Sequence, residues 1–217
     1  LSEIEAMPFS AHVPSDAIPD MQMMKVGRMQ GSSISHLHHF FLSRARYIVG
    51  QFWEKTQNIR PKTLRSLLEF WVDSHLVNLS LRNRFRPEVS FPYNPLTGVF
   101  YLPSMSSEGN VFQAYENKLK RILKAFNNFS SHYGNIVQTG SASSSLIPEN
   151  SQDYIFTDPP FGENIYYSDL NFFVEAWYRV YTNTKTEAII DKVKKKKLND
   201  YQELMTKCFE EYYRILK

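Results

Sequence analysis

The sequence predicts an α/β chain: a mainly helical region over residues 1–132, followed over 133–217 by part of an open α/β sheet. Three observations carry this. Apolar residues recur at helical spacing through much of the first 126 residues. Two short β-branched and aromatic runs follow, "NIVQTG" and "DYIFT". The second runs straight into Asp158-Pro159-Pro160-Phe161, where two residues without an N–H cannot continue a ladder.

The elements follow in chain order. Residues 1–32 hold Pro8, Pro14, Pro19, Gly27 and Gly31 without a period and read as a loop or wrapping arm. Ile34, Leu37, Phe41, Ile48, Phe52 and Trp53 predict a helix over Ser33–Asn58. Pro61 suits the first position of a second helix, carrying Leu64, Leu67, Leu68, Trp71, Val72, Leu76 and Leu79. Leu81 to Gly98 is a loop rich in Pro, Arg and rings, and Val99–Leu102 reads as a short strand. Val111, Phe112, Tyr115, Leu119, Ile122, Leu123 and Phe126 mark a third helix.

Asn135–Thr139 and Asp153–Thr157 are the two expected strands, paired in parallel, with the polar turn "SASSSLIPENS" between them. Ser168 can cap a fourth helix, through Trp177 to Tyr181. Asn199 with Gln202 resembles a capping box for a last helix expected to bury Tyr201, Leu204, Met205, Cys208, Phe209 and Tyr212.

Composition narrows the function. Hydrophobic residues make up 42% of the chain, enough for a core, and no apolar run approaches membrane-spanning length. No signal peptide opens the chain, so a soluble, cytoplasmic protein is expected. Net charge is +3, which permits nucleic-acid binding without arguing for it. The single cysteine, Cys208, rules out an internal disulfide and a Cys-based zinc cluster. It lies on an apolar stripe and reads as core, as do Trp53, Trp71 and Trp177. His36, His38 and His39 lack a carboxylate pattern and read as a helix face, not a metal site. Arg82, Arg84 and Arg86 in "RNRFRP" are candidate phosphate contacts, and Lys192–Lys197 reads as a solvated charge run.

The chemistry concentrates in "DYIFTDPPFGENIYYSDLN", Asp153 to Asn171. The exocyclic amino group of adenine or cytosine is a poor nucleophile because its lone pair is delocalised into the ring. Two acceptors aimed at its N–H bonds favour the pyramidal form in which that pair is free. A carboxylate such as that of Asp158 can supply one and the backbone carbonyl of the next residue, Pro159, the other. A second proline, Pro160, would stiffen the turn. A ring just after the prolines, as at Phe161, would stack on the base, a contact worth roughly 1–3 kcal/mol, of the size needed to offset flipping a base from a duplex.

"DPPF" after a hydrophobic run resembles the motif of S-adenosylmethionine-dependent amino-methyltransferases. "DPPFGENIYYSDLNFFVEAW" resembles the extended signature of a bacterial and archaeal group of DNA methylases, and "SLIPENSQDYIFTDPPF", "FEEYYRILK", "NRFRP" and "GVFYLPSMSSEGN" are similar to other segments of that group. The resemblance covers most of residues 33–217, strongly after Gly134 and loosely before it. It implies a Rossmann-like methyltransferase sheet, S-adenosylmethionine as cofactor, DNA as partner, and adenine as the favoured target base, with cytosine second.

It also implies a substrate pocket shaped by Asn164, Tyr166 and Tyr167. Thr139, Gly140 and Ser141 fall beside the cofactor adenine, with Ser141 standing where many relatives carry an acid. The glycine-rich D-P-F-x-G-x-G cofactor turn has no counterpart, because no two of the eight glycines are separated by a single residue. The resemblance therefore implies a fragment whose main cofactor loop precedes Leu1 and whose partners include the remaining N- and C-terminal parts of the same methyltransferase. It implies no membrane partner, an inactive isolated chain, and self-association through an exposed sheet edge. The rival function is a non-catalytic fragment that grips nucleic acid or a partner domain.

Overall fold

The computed structural model describes residues 13–88, 99–128 and 136–217. Five α-helices organise them: α1 (Ser43–Gln57), α2 (Lys62–Asp73), α3 (Val111–Asn127), α4 (Tyr167–Tyr178) and α5 (Leu198–Ile215). The expected helices are present with shifted ends. Phe40 and Phe41 are both buried, and two adjacent rings facing one core break helical spacing. Leu37–Phe40 forms a 3-10 turn instead, and α1 starts at Ser43. Pro61 sits just before α2 rather than in its first position, and its carbonyl accepts from Arg65 N. The side chain of Asn110 caps α3, accepting from Gln113 N at 3.1 Å.

Two other caps differ from expectation. Tyr166 precedes α4, and Ser168 lies inside it, donating from both its N–H and its hydroxyl to the Glu187 carboxylate. Glu187, nineteen residues along the chain, thus does the capping. In α5 the Asp200 carboxylate, not the Asn199–Gln202 pair, reaches back to Lys197 N at 2.7 Å.

The Rossmann-like sheet is not formed. Among the described residues there is no sheet, only four isolated bridges: Ala17 with His36, Arg84 with Ser106, Gln152 with Leu216 and Asp191 with Lys196. Asn135 and the 89–98 and 1–12 stretches of the expected strand, loop and arm lie outside the described residues. Ile136–Thr139 and Asp153–Thr157 are unpaired, so neither parallel nor antiparallel pairing joins them. Ile136 is 94% exposed and Phe156 85%. Strand preference expresses how a side chain packs on a neighbouring strand, and no neighbouring strand occurs among the described residues. Val99–Leu102 is likewise not a strand; Phe100 turns into the core instead.

One hydrophobic core joins the N-terminal segment, α1, α2, the first turns of α3, and α4, so it crosses the expected 132/133 division. Phe173 of α4 is fully buried, 5.4 Å from Phe40 edge to face and 5.6 Å from Phe41 in a stacked pair. Trp177 meets Trp53 at 5.5 Å. The Trp71 indole donates to Tyr115 O, and the Tyr115 hydroxyl to Val72 O, tying α2 to α3.

Helix α5 departs from expectation. Of its expected stripe only Met205 is buried, Tyr201, Leu204, Cys208 and Tyr212 are half-buried, and Phe209 is 53% exposed. No helix among the described residues is long and apolar enough to cross a membrane.

Candidate active site

Asp158, Pro159 and Pro160 line a cavity of about 700 Å³ together with Thr139, Gly140 and Ser141. The volume lies within the range of small-molecule sites. Tyr167 of α4 also faces it. The two groups expected on the base side and the cofactor side, some eighteen positions apart, are thus brought to one space. Phe161, Asn164 and Tyr166 are not among its lining residues. Phe161 is 68% exposed, and Asn164 N donates to its carbonyl at 3.0 Å, closing a turn. Tyr166 packs against the core, and burial followed by the nearby Glu163 raises its hydroxyl above the usual tyrosine range.

The loop is pinned from both sides. The Tyr201 hydroxyl of α5 donates to the Pro160 carbonyl at 2.8 Å. That bond engages the carbonyl next to the one expected to meet the target amino group. Gly162 sits at φ +54° and its carbonyl accepts from Ile190 N at 3.0 Å. A side chain there would be strained by the left-handed backbone, so glycine is favoured where the chain turns after Phe161.

The rest of the cavity wall comes from Ser168, Asn171 and Glu175 of α4, residues 180–183 and 186–188, and Met205 and Cys208 of α5. A buried ion cluster holds it. Lys194 Nζ lies 2.7 Å from Asp169 Oδ1, 3.1 Å from Asp191 Oδ2 and 2.7 Å from Ser168 Oγ. Met23 N donates to Asp169 Oδ2 from the N-terminal segment. Burial opposes the charge on Lys194, but Asp169, Asp191 and Glu187 together outweigh it and raise its pKa. Lys196 also turns inward and donates to the Lys185 and Glu187 carbonyls. The lysine run is therefore not simply a solvated face: two of its members fasten the cavity wall.

Cys208 is half-buried on this wall, and burial pushes its thiol up, away from the thiolate. Glu175 accepts from Thr182 N at 2.9 Å. The Tyr181 hydroxyl donates to Asp16 Oδ1 at 2.7 Å; burial and that bond push its pKa up to about 12.

The three arginines part company. Arg82 is buried between the rings of Phe100 and Phe173, 4.8 and 4.9 Å from their centroids, and donates to Val99 O. Desolvation lowers its pKa to about 10. It serves the core by cation–π contact and does not reach a phosphate, which corrects the expectation for this residue. Arg84 and Arg86 line a different recess with Phe85, Tyr101 and Met105. His36, His38 and His39 pack ring against ring, with centroids 4.3–5.5 Å apart, and no cluster suited to a metal occurs among the described residues.

Tyr201, Glu187 and Lys194 were not among the sequence-based candidates. Tyr201 sat on an apolar stripe and was assigned to the core. One signal for Lys194 existed: Asp191 three residues earlier is a turn former, and its Oδ1 accepts from Val193 N and Lys194 N. Removing the pinning hydroxyl by Tyr201→Phe is expected to lower stability by about 0.5–1.5 kcal/mol, the net worth of one such bond. Urea unfolding of the pair measures this, and equal midpoints would mean that the bond contributes nothing.

No protein-family model, no characterised relative and no solved structure matches this chain.

Proposed function

We propose that the chain carries the base-side half of an S-adenosylmethionine-dependent DNA amino-methyltransferase site, with adenine favoured over cytosine. The observation that supports this most is the shared cavity. Asp158-Pro159-Pro160 and Thr139-Gly140-Ser141 line one space, with the Pro160 carbonyl held by Tyr201 and the chain turning at Gly162. Asp158 and the Pro159 carbonyl are the acceptors for the target amino group. The cofactor supplies an electrophilic methyl group.

The residues present fit the base better than the cofactor. Ser141 Oγ lies 2.8 Å from Ser143 Oγ within its own loop, and no carboxylate stands in its place. A hydroxyl is a weaker partner than a carboxylate, and no Gly-x-Gly turn occurs in the sequence. The same reading takes DNA as the partner and the cytoplasm as the compartment.

The test has two arms. Calorimetry of the 217-residue chain with S-adenosylmethionine is expected to show weak or no binding. The same chain joined to a glycine-rich cofactor turn is expected to transfer labelled methyl groups to mixed-sequence DNA. Micromolar binding in the first arm would place the cofactor loop within this chain, and no transfer in the second would sink the assignment.

A second function, a non-catalytic module that grips nucleic acid or a partner, draws support from a different observation. Ile136, Val137, Tyr154 and Phe156 are between 75% and 94% exposed, more apolar surface than a finished catalytic domain leaves uncovered.

A further inference from the structure

The basic run that follows the cavity wall divides into inner and outer lysines. Lys194 reaches inward to Asp169 and Asp191, and Lys196 to the carbonyls of Lys185 and Glu187. Lys192 and Lys195 of the same turn are exposed. So is Lys185, which stands between the cavity-lining residues Asn183 and Thr186. Among the described residues no ion pair engages these three. Lys197 is exposed as well, but Asp200, whose carboxylate accepts from its N–H, stands beside it.

Two features separate this turn from an ordinary solvated charge run. The first is a fixed backbone. Asp191 and Lys196 exchange two hydrogen bonds, at 3.0 and 2.8 Å, and the Asp191 carboxylate accepts from Val193 N and Lys194 N. Lys195, at φ +57°, donates its N–H to Lys192 O and closes the turn. The second is where both ends lead. Ile190, just before the turn, donates to Gly162 O. Tyr201, in the first turn of α5 just after it, donates to Pro160 O. The outer lysines are thus carried on a backbone that grips the Asp158 loop from both flanks.

We propose that Lys185, Lys192 and Lys195 hold the sugar-phosphate backbone of the DNA strand whose base enters the cavity, an inference that rests on the function proposed above. The distribution of charge selects the orientation. The loop side presents two exposed acids, Asp158 and Glu163, and the turn side presents the cations. A nucleotide has the matching polarity, with amino donors on the base at one end and an anionic phosphate at the other. Both ends are complemented only when the base points to Asp158 and the phosphates to the lysines. A backbone fixed beforehand reduces the ordering cost of binding. Phosphate contacts position a strand without reading its sequence, so the turn sets where the base lies relative to Asp158.

Two variants of the 217-residue chain that lose equal charge test this. One carries Lys185→Gln, Lys192→Gln and Lys195→Gln. The other carries Lys120→Gln, Arg121→Gln and Lys124→Gln on α3, no residue of which lines the cavity. All six side chains are exposed, so the fold is retained, which circular dichroism checks. Fluorescence anisotropy follows binding of mixed-sequence duplex DNA across a salt series. Each phosphate contact contributes about 0.9 to the slope of log affinity against log salt. The turn variant is expected to lose about 2–3 from that slope and to bind at least about tenfold more weakly at low salt. The α3 variant is expected to keep the wild-type slope to within about one.

A wild type that binds no DNA overturns the proposal. So does an unchanged slope in the turn variant, or an equal loss in both variants, since charge anywhere on the surface would then suffice. Tighter binding of poly-glutamate or of phosphatidylglycerol vesicles than of DNA, lost in the turn variant, would assign the turn to an acidic protein or a membrane surface and overturns it as well. The methyltransferase assignment fails separately. In the chain joined to a glycine-rich cofactor turn, DNA bound through the lysines without methyl transfer sinks that assignment and leaves the lysine contacts standing. Methyl transfer whose KM for DNA does not rise in the turn variant does the reverse.

Discussion

Asp158→Ala, made in the chain joined to a glycine-rich cofactor turn, is expected to reduce methyl transfer by about 10²–10³-fold, the loss typical of deleting one preorganised group at a reacting centre. The carboxylate is one of two acceptors proposed for the target amino group. Without it, only the Pro159 carbonyl remains to hold that group in the form with a free lone pair. Duplex affinity should hardly change, because it rests mainly on phosphate contacts, and Asp158 brings a negative charge, not a positive one. Asp158→Asn should fall between, since it keeps an oxygen acceptor and loses the charge. Single-turnover transfer of labelled methyl groups and fluorescence anisotropy with duplex DNA measure the two quantities separately. A near wild-type rate for the alanine variant would remove Asp158 from the chemistry.

Phe173→Ala is expected to destabilise the fold by about 3–5 kcal/mol, the usual cost of truncating a buried ring. Phe173 is 0% exposed and touches Phe40, Phe41 and Phe100. It also carries one of the two rings that flank the buried Arg82 guanidinium. Its loss leaves a cavity and strips half of the aromatic lining from a cation that burial already disfavours. Because Phe173 lies in α4 while Phe40, Phe41 and Arg82 lie in the helical half, the whole core should feel the change. Chemical unfolding followed by the fluorescence of Trp53 and Trp177 should show one transition, shifted to lower denaturant. An unshifted midpoint would mean that α4 packs independently of the N-terminal half.

Much of the helical content was legible because a 3.6-residue period is a local property. Trp53 in α1, and Val111 and Tyr115 in α3, fall on the buried faces that their spacing marks, whereas Ile48 and Phe52 of the same expected stripe are only half-buried. The loop at Asp158 was legible for a similar reason: two prolines remove two donors wherever they stand.

Period alone, however, says that a stripe exists and not what covers it. The stripe of α3 is buried at Val111 and Tyr115 and open at Leu123 and Phe126. Of the α5 stripe, Met205 is buried while Phe209 is exposed. The expected strands failed for the same reason at a larger scale. "IVQT" and "YIFT" have the side chains of strands, but a ladder requires a second chain segment to supply its hydrogen bonds, and none of the described residues pairs with them.

By itself, the amino-acid sequence determined the helices, the break at Pro159-Pro160 and the chemistry of an acid beside two prolines, since each depends on residues within a few positions of one another. Only the tertiary structure decided that Arg82 is a core cation, that Lys194 ties Asp169 to Asp191 across 22 positions, that Tyr201 holds the Pro160 carbonyl, and that Thr139–Ser141 and Asp158–Pro160 share one cavity. Those are long-range meetings. Whether a charge is solvated or buried, and which of several hydroxyls finds a given carbonyl, depends on which distant segments the packing brings together, and no local pattern encodes that.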